Sequence, residues 1–183
     1  MDPVRRAARA IARTSAALDA LDRAAADDLA YPLRTDGSKW SIGEHLAHLA
    51  AANALTLSAA RTLVEGGDAR IVARARPNLL GRLVLLLGWI PRGRGQAPVP
   101  TRPPPETDAA ALRAALADNR ELLLVLAPER TAAARGGLPH PALGVFDAFA
   151  WVRFTEVHTR HHLKIVDEIR EGGLLVRDDP HQV

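Results

Sequence analysis

The chain has 183 residues, which is long enough for one domain with its own core. Its formal net charge is +3. Lys39 and Lys164 are the only lysines, and between residues 108 and 121 arginines are interleaved with acidic residues. This diffuse charge pattern argues against a nucleic-acid partner. No cysteine is present, which excludes disulfides, thiolate metal ligands and a cysteine nucleophile. With few aromatic residues, the core is expected to be built from Leu, Ala, Val and Ile, a composition that favours helices.

Neither the first residues nor the most apolar run has the pattern of a targeting or membrane-spanning segment. Residues 1–6 contain no apolar segment of the signal-peptide type. The longest dense apolar run, residues 83–90, is far shorter than the ~18 residues of a membrane span. We therefore expect a cytoplasmic protein with no membrane partner. The same run contains Trp89 and predicts either a homodimer interface or a segment that packs into its own core.

The first half of the chain predicts two long helices. The first covers about residues 3–29, with Asp2 as its cap and Pro3 at the first helical position, and turn-forming residues at 31–38 end it. The second begins at Ser41, because Glu44 three residues later completes a capping-box pattern. It is expected to end near residue 65, before two glycines.

The second half predicts a short helix and two more long ones. The short apolar helix covers about residues 79–89, with Asn78 as its cap, and a Pro-rich connection over residues 92–106 follows it. A long helix starts at a cap on Thr107 or Asp108 and ends near residue 127. Residues 128–144 are expected to form a loop. The last helix covers about residues 146–170, and the glycines at 172 and 173 are expected to end it.

These elements predict an all-α fold, because four long helices and one short helix alternate with loops and no strand-like alternation is evident. The predicted architecture is a four-helix bundle with one additional short helix. We assign residues 1–175 to a single helical-bundle domain and residues 176–183 to a C-terminal tail.

Two histidines of the last helix are predicted to face the interior of the bundle. They belong to a seam with alternating steps of four and three residues: Trp151, Thr155, His158, His162, Ile165 and Ile169. Burying two imidazoles without partners costs free energy, and a divalent metal bound through neutral imidazoles removes that cost. Hydrogen bonds within the core are the alternative. His161 lies at the edge of this face, and its role stays open: as a fourth ligand it would close the site.

The second helix offers two more histidines, His45 and His48, three residues apart. Either of them could face the interior, and their spacing alone does not choose between them. No histidine is followed directly by glutamate, so the H-E-x-x-H metalloprotease signature is absent.

The stretch W-S-I-G-E-H-L-A-H-L-A at residues 40–50 resembles the first motif of the DinB-like (DinB/YfiT) family of four-helix metalloproteins. In that motif a Trp-Ser start leads into a helix with a metal-binding His-Leu, which falls on His48. A second stretch, from His140-Pro141 through Trp151 to the histidine cluster at 158–162, is similar to the last-helix motif of the family. Its ligands fall on His158 and His162. Helix order and the Pro-rich connection are also similar, so the resemblance covers nearly the whole chain.

The resemblance implies a divalent metal held by His48, His158 and His162. Imidazole ligands suit zinc, nickel, iron and copper alike, and zinc or nickel is the preferred prediction. Three nitrogen ligands leave a coordination position open, which is the pattern of a catalytic site. Some DinB-like proteins are transferases that use a low-molecular-weight thiol such as bacillithiol or mycothiol. The resemblance thus predicts a metal-dependent transferase with a small-molecule substrate and a thiol cosubstrate. The alternatives are a non-enzymatic, stress-related metal or small-molecule binding protein and a metal-free helical interaction module.

Two further residues have open roles in this prediction, and one stretch departs from the family pattern. Glu44 either orients His48 or serves only the capping box. His140 either lines the mouth of a pocket or is a plain loop residue. Many relatives carry a glutamine after the last histidine pair, whereas residues 164–166 here are Lys, Ile and Val.

Overall fold

A computed structural model of the protein describes residues 2–28, 40–91, 97–104 and 107–177. Its helices are α1 (Pro3–Asp28), α2 (Ile42–Glu65), α3 (Leu79–Leu87), α4 (Ala109–Leu124), α5 (Pro128–Ala133) and α6 (Ala148–Arg177). A 3-10 turn covers Val99–Thr101, and three short strands are β1 (Arg76–Pro77), β2 (Leu138–His140) and β3 (Gly144–Phe146). The predicted all-α fold is confirmed, since α1, α2, α4 and α6 form the body of the molecule. No helix in these described ranges combines the length and apolarity that a membrane crossing requires.

The four long helices surround a core of aliphatic side chains. Helix α2 packs against both α4 and α6, and α1 packs against α4 and α6. Leu46, Leu49 and Leu57 of α2 and Val152 of α6 have no exposed surface. Burial of each such side chain contributes roughly 1.5–3 kcal/mol of transfer free energy. The packing therefore places α2 and α6, the two histidine-bearing helices, face to face.

The helix starts follow the predicted caps. Ser41 Oγ accepts a hydrogen bond from the backbone N–H of Glu44 at 3.2 Å, and the Glu44 carboxylate accepts one from the Ser41 N–H at 2.7 Å. Asn78 caps α3, and Asp108 rather than Thr107 caps α4. These contacts satisfy backbone N–H groups that the first turn of a helix leaves without partners. The start of α2, and with it the position of its histidines, is set by this local chemistry.

The expectation of a loop over residues 128–144 is wrong in two places. Pro128–Ala133 form the short helix α5, and β2 and β3 form a hairpin in which Leu138 pairs with Phe146 and His140 with Gly144. Strand β1 adds to the other side of β3. Elements of two to six residues are too short to show a hydrophobic period, so the sequence pattern could not separate them from a loop.

The predicted end of the last helix is also wrong. The backbone of α6 stays helical through Gly172 and Gly173 and continues to Arg177. A glycine inside a helix costs only about 1 kcal/mol relative to alanine, so it permits a helix end without requiring one. Two of the predicted segments, the turn at 31–38 and tail residues 178–183, lie outside the described residues, as do residues 92–96 and 105–106 of the connection.

Candidate metal centre

Four buried or half-buried histidines meet where α2 faces α6. The structure brings His48 together with His158 and His162, and the potential ligand atoms of these three lie within 4.8 Å of one another. His45 and His48 are both buried, with 3 % and 4 % of their surface exposed. Since both residues point inward, their spacing in the sequence could not have distinguished them.

The protonation of His48 is set by a backbone group. Its Nδ1–H donates to the carbonyl oxygen of Thr101 at 2.6 Å, which leaves the lone pair on Nε2. Thr101 is buried, and its hydroxyl in turn donates to the carbonyl of Pro98 at 3.0 Å. The Pro-rich connection therefore orients a metal-ligand candidate. Sequence reasoning missed this role because a backbone carbonyl 53 residues away leaves no sequence signal.

The pair formed by His48 and His158 has the spacing of two ligands on one metal ion. Their Nε2 atoms are 3.3 Å apart. A tetrahedral zinc ion with Zn–N distances of about 2.0–2.1 Å holds two ligand nitrogens about 3.3 Å apart. The Nδ1 atom of His158 is buried without a hydrogen-bond partner among the described residues. The donor set, two imidazole nitrogens facing one point with a third histidine beside them, fits a divalent metal.

His162 completes the cluster and is held by His45. The Nδ1 atoms of these two rings are 2.9 Å apart, so one donates to the other. The Trp40 ring lies over this arrangement, with its centroid 4.9 Å from that of His48 and 6.1 Å from that of His162. Trp40 also contacts His45 in the first turn of α2, with ring centroids 5.4 Å apart.

The electrostatics of the site keep its imidazoles neutral. Burial is the main cause that lowers the pKa of His158, His162 and His48 below the usual 6.5, and for His158 and His162 the neighbouring histidines add to the effect. Burial also lowers the pKa of His45 to about 4, with Glu44 acting in the opposite direction. A neutral imidazole is the form that binds a metal, so at neutral pH none of these rings would have to lose a proton before binding one.

Two other histidines lie near the cluster without joining it. His161 touches only the edge of the site, with its ring centroid 5.2 Å from that of His162, and it is not part of the three-histidine group. His140 lies on β2 among Phe146, Trp151 and Phe154. Its Nδ1 accepts hydrogen bonds from the backbone N–H groups of residues 142 and 143 at 3.2 Å each. His140 therefore shapes the hairpin turn.

Polar contacts continue along the α2–α6 interface beyond the histidines. Thr155, which the seam predicted to face inward, is fully buried and shares a 2.7 Å hydrogen bond with Thr56. Thr159 donates to the side-chain oxygen of Asn53 at 3.1 Å. Glu44 is engaged in its capping box, and the partner of His48 Nδ1 is Thr101. These contacts fix the rotation of α6 against α2.

Fold and site together define a class of protein: a bundle of long helices in which three histidines that could hold a metal ion lie between two of the helices. Comparison with known proteins gives the family. The profile of the DinB superfamily matches residues 6–166, and the chain belongs to this superfamily. No curated protein and no solved structure matches the chain.

His45→Phe is expected to weaken metal binding by about 10- to 100-fold, the usual effect of losing a partner that orients a ligand. Phenylalanine retains a ring beside Trp40 but removes the nitrogen that contacts His162. The test is a chelator-competition titration of the variant with zinc, with His161→Phe as the matched control. An affinity unchanged in His45→Phe would contradict a positioning role.

The stability of the metal-free protein is expected to fall as the pH drops from about 6.5 towards 4. Burial lowers the pKa of His140 to about 4 in the folded state, against 6.5 in the unfolded chain. Between these values the unfolded chain binds protons that the folded protein does not, so acidification favours unfolding. Urea unfolding in the presence of a chelator measures this slope, and His140→Gln should reduce it. Equal stability across this range would contradict the prediction.

Proposed function

We propose that the protein is a metal-dependent transferase in which His48, His158 and His162 hold a divalent ion, zinc or nickel, beside a low-molecular-weight thiol cosubstrate. The observation that carries the metal half of this proposal is the 3.3 Å separation of the two Nε2 atoms of His48 and His158. The hydrogen bond to the Thr101 carbonyl leaves the lone pair of His48 on Nε2, the atom that faces His158 Nε2. A cytoplasmic location belongs to the same proposal.

The thiol half of the proposal rests on the effect of a bound metal on a thiol and on the absence of cysteine from the chain. A bound metal would lower the pKa of a thiol placed beside it and so provide a thiolate at neutral pH. The protein has no cysteine, so that thiol has to come from a cosubstrate. Three histidine ligands leave a coordination position for it.

Two aromatic side chains of the protein would lie beside such a cosubstrate. The Trp40 ring covers the histidines from one side, and Phe154 stacks on the His158 ring at a centroid distance of 5.5 Å. These rings and the burial of His48 make the surroundings of the centre largely apolar, and a low dielectric strengthens the interaction between a metal and an anionic sulfur. Membership of the DinB superfamily is consistent with this function.

The experiment is an activity screen of the zinc- and nickel-loaded protein. Small electrophiles are incubated with a low-molecular-weight thiol, and thiol consumption and the thioether product are followed by mass spectrometry. The proposal expects turnover that requires the metal, the thiol and an intact His48, so that His48→Ala is inactive. Metal binding without turnover of any electrophile would overturn the transferase and support the alternative, a non-enzymatic metal or small-molecule binding protein.

A further inference from the structure

Helix α3 carries an exposed apolar face, here called the α3 face. It consists of Leu79, Leu80, Leu83, Leu86, Leu87 and the following Trp89. Leu86 is 79 % exposed and Trp89 is 60 % exposed. Six large apolar side chains exposed on one short helix and the residues just after it are typical of an interaction site. For Leu83, Leu86, Leu87 and Trp89, packing of the run at residues 83–90 into the protein's own core is therefore wrong, whereas Val84 of the same run is buried.

The α3 face points outward because the opposite side of the helix is fixed to the body. Val84 is buried, and a Cβ added at Gly81 would lie only 2.4 Å from the carbonyl oxygen of Leu143. The Asn78 side chain caps the helix and also donates to the carbonyl of Ala142 at 2.9 Å. Arg153 of α6 donates to the carbonyl of Leu85 at 3.3 Å. The exposed leucines thus belong to a helix that is already docked.

The segment of the chain that carries this face is basic. Residues 69–105 contain seven arginines and neither aspartate nor glutamate, unlike the interleaved charges elsewhere in the chain. Arg70 is paired with Asp68, just before this segment. Arg74, Arg76 and Arg82 are exposed, and within the described part of the chain no ion pair joins them to an acidic residue. A basic segment with an apolar helix face is the pattern of a surface that contacts an anionic membrane.

The charge also argues against the predicted homodimer. A two-fold interface places the same patch of both copies together, so the arginine-rich segment would face itself and be repelled. A bilayer with anionic headgroups instead offers negative charge to the arginines and an apolar layer to the leucines and Trp89. At 9 residues, α3 is far too short to span a bilayer, so it would lie along the surface.

We propose that the α3 face docks on the surface of an anionic lipid membrane. This inference is independent of the metal centre and departs from the expectation of no membrane partner, which considered only membrane spans. It concerns reversible contact, since a few leucines and one tryptophan are far less apolar than a spanning helix.

The test is co-sedimentation of the full chain with vesicles of phosphatidylglycerol, compared with vesicles of phosphatidylcholine alone. Binding is expected only to the anionic vesicles and should weaken as salt is raised. Leu86→Glu should lower the partition coefficient by about tenfold or more, because it removes an aliphatic side chain that would enter the membrane and adds a negative charge. Leu124→Glu is the matched control, since Leu124 on α4 is 75 % exposed and lies outside the segment; its binding should be unchanged.

Three results would overturn the proposal. The first is no sedimentation with anionic vesicles at low salt, and the second is equal vesicle binding by wild type and Leu86→Glu. The third is a stable dimer in analytical ultracentrifugation that Leu86→Glu dissociates, together with no vesicle binding. Circular dichroism of both variants verifies that each is folded.

Discussion

Replacing His158 with alanine is expected to reduce the affinity for zinc or nickel by more than the roughly 10- to 100-fold that loss of an orienting partner costs. His158 supplies one of the two Nε2 atoms that lie 3.3 Å apart, and its ring links the other two histidines, with centroids 5.1 Å from His48 and 4.7 Å from His162. Without it only two ligands remain, and no other described histidine belongs to the group.

The measurement is a chelator-competition titration of wild type and His158→Ala, with His161→Ala as the control on the same helix. His161 lies beside the cluster and outside it, so its removal should leave the affinity near that of wild type. Circular dichroism verifies that both variants retain their helices. If His158→Ala bound metal as tightly as the control, His158 would not be a ligand.

The second large effect is expected on the free energy of unfolding, at a buried ion pair. Glu156 on α6 is almost completely buried and is paired with Arg153 one turn earlier, and more weakly with the exposed Arg160. Arg153→Met should lower the free energy of unfolding by about 3 kcal/mol, because it leaves a buried carboxylate without its main partner. Arg153 also ties α6 to α3 through the Leu85 carbonyl, which the variant loses as well.

Urea unfolding of a small set of variants separates these causes. Arg160→Met should cost less than about 1 kcal/mol, since Arg160 is exposed and its pair is screened by solvent. The double variant Arg153→Met with Glu156→Leu should recover most of the lost stability, because a buried pair can be replaced by apolar side chains at little cost. A double variant no more stable than Arg153→Met would show that the buried charge is not the cause.

The parts of the fold that follow from local chemistry could be predicted from the sequence. The capping box at Ser41 and the caps at Asn78 and Asp108 fixed where three helices begin. The inward rotation of α6 followed from its seam, and Thr155 and Ile169 are indeed buried. Periodicity works here because these helices are long enough for many residues to repeat the same face.

The remaining features depend on contacts between distant segments. His45 and His48 both face α6, and only the tertiary arrangement shows that one pairs with His162 while the other faces His158. The Thr101 carbonyl reaches His48 from the Pro-rich connection. The β2–β3 hairpin is likewise too short for a periodic signal, and its third strand comes from residues 76–77. None of these contacts has a local sequence signature.

The most direct test of the metal centre is the metal content of the full chain purified without a histidine tag. Inductively coupled plasma mass spectrometry of the purified protein, before and after incubation with zinc or nickel and removal of the excess, gives the number of ions per chain. Three converging histidines predict about one divalent ion per chain, bound on isolation or taken up on addition. Near-zero occupancy that neither zinc nor nickel raises would contradict the assignment of His48, His158 and His162 as a metal site.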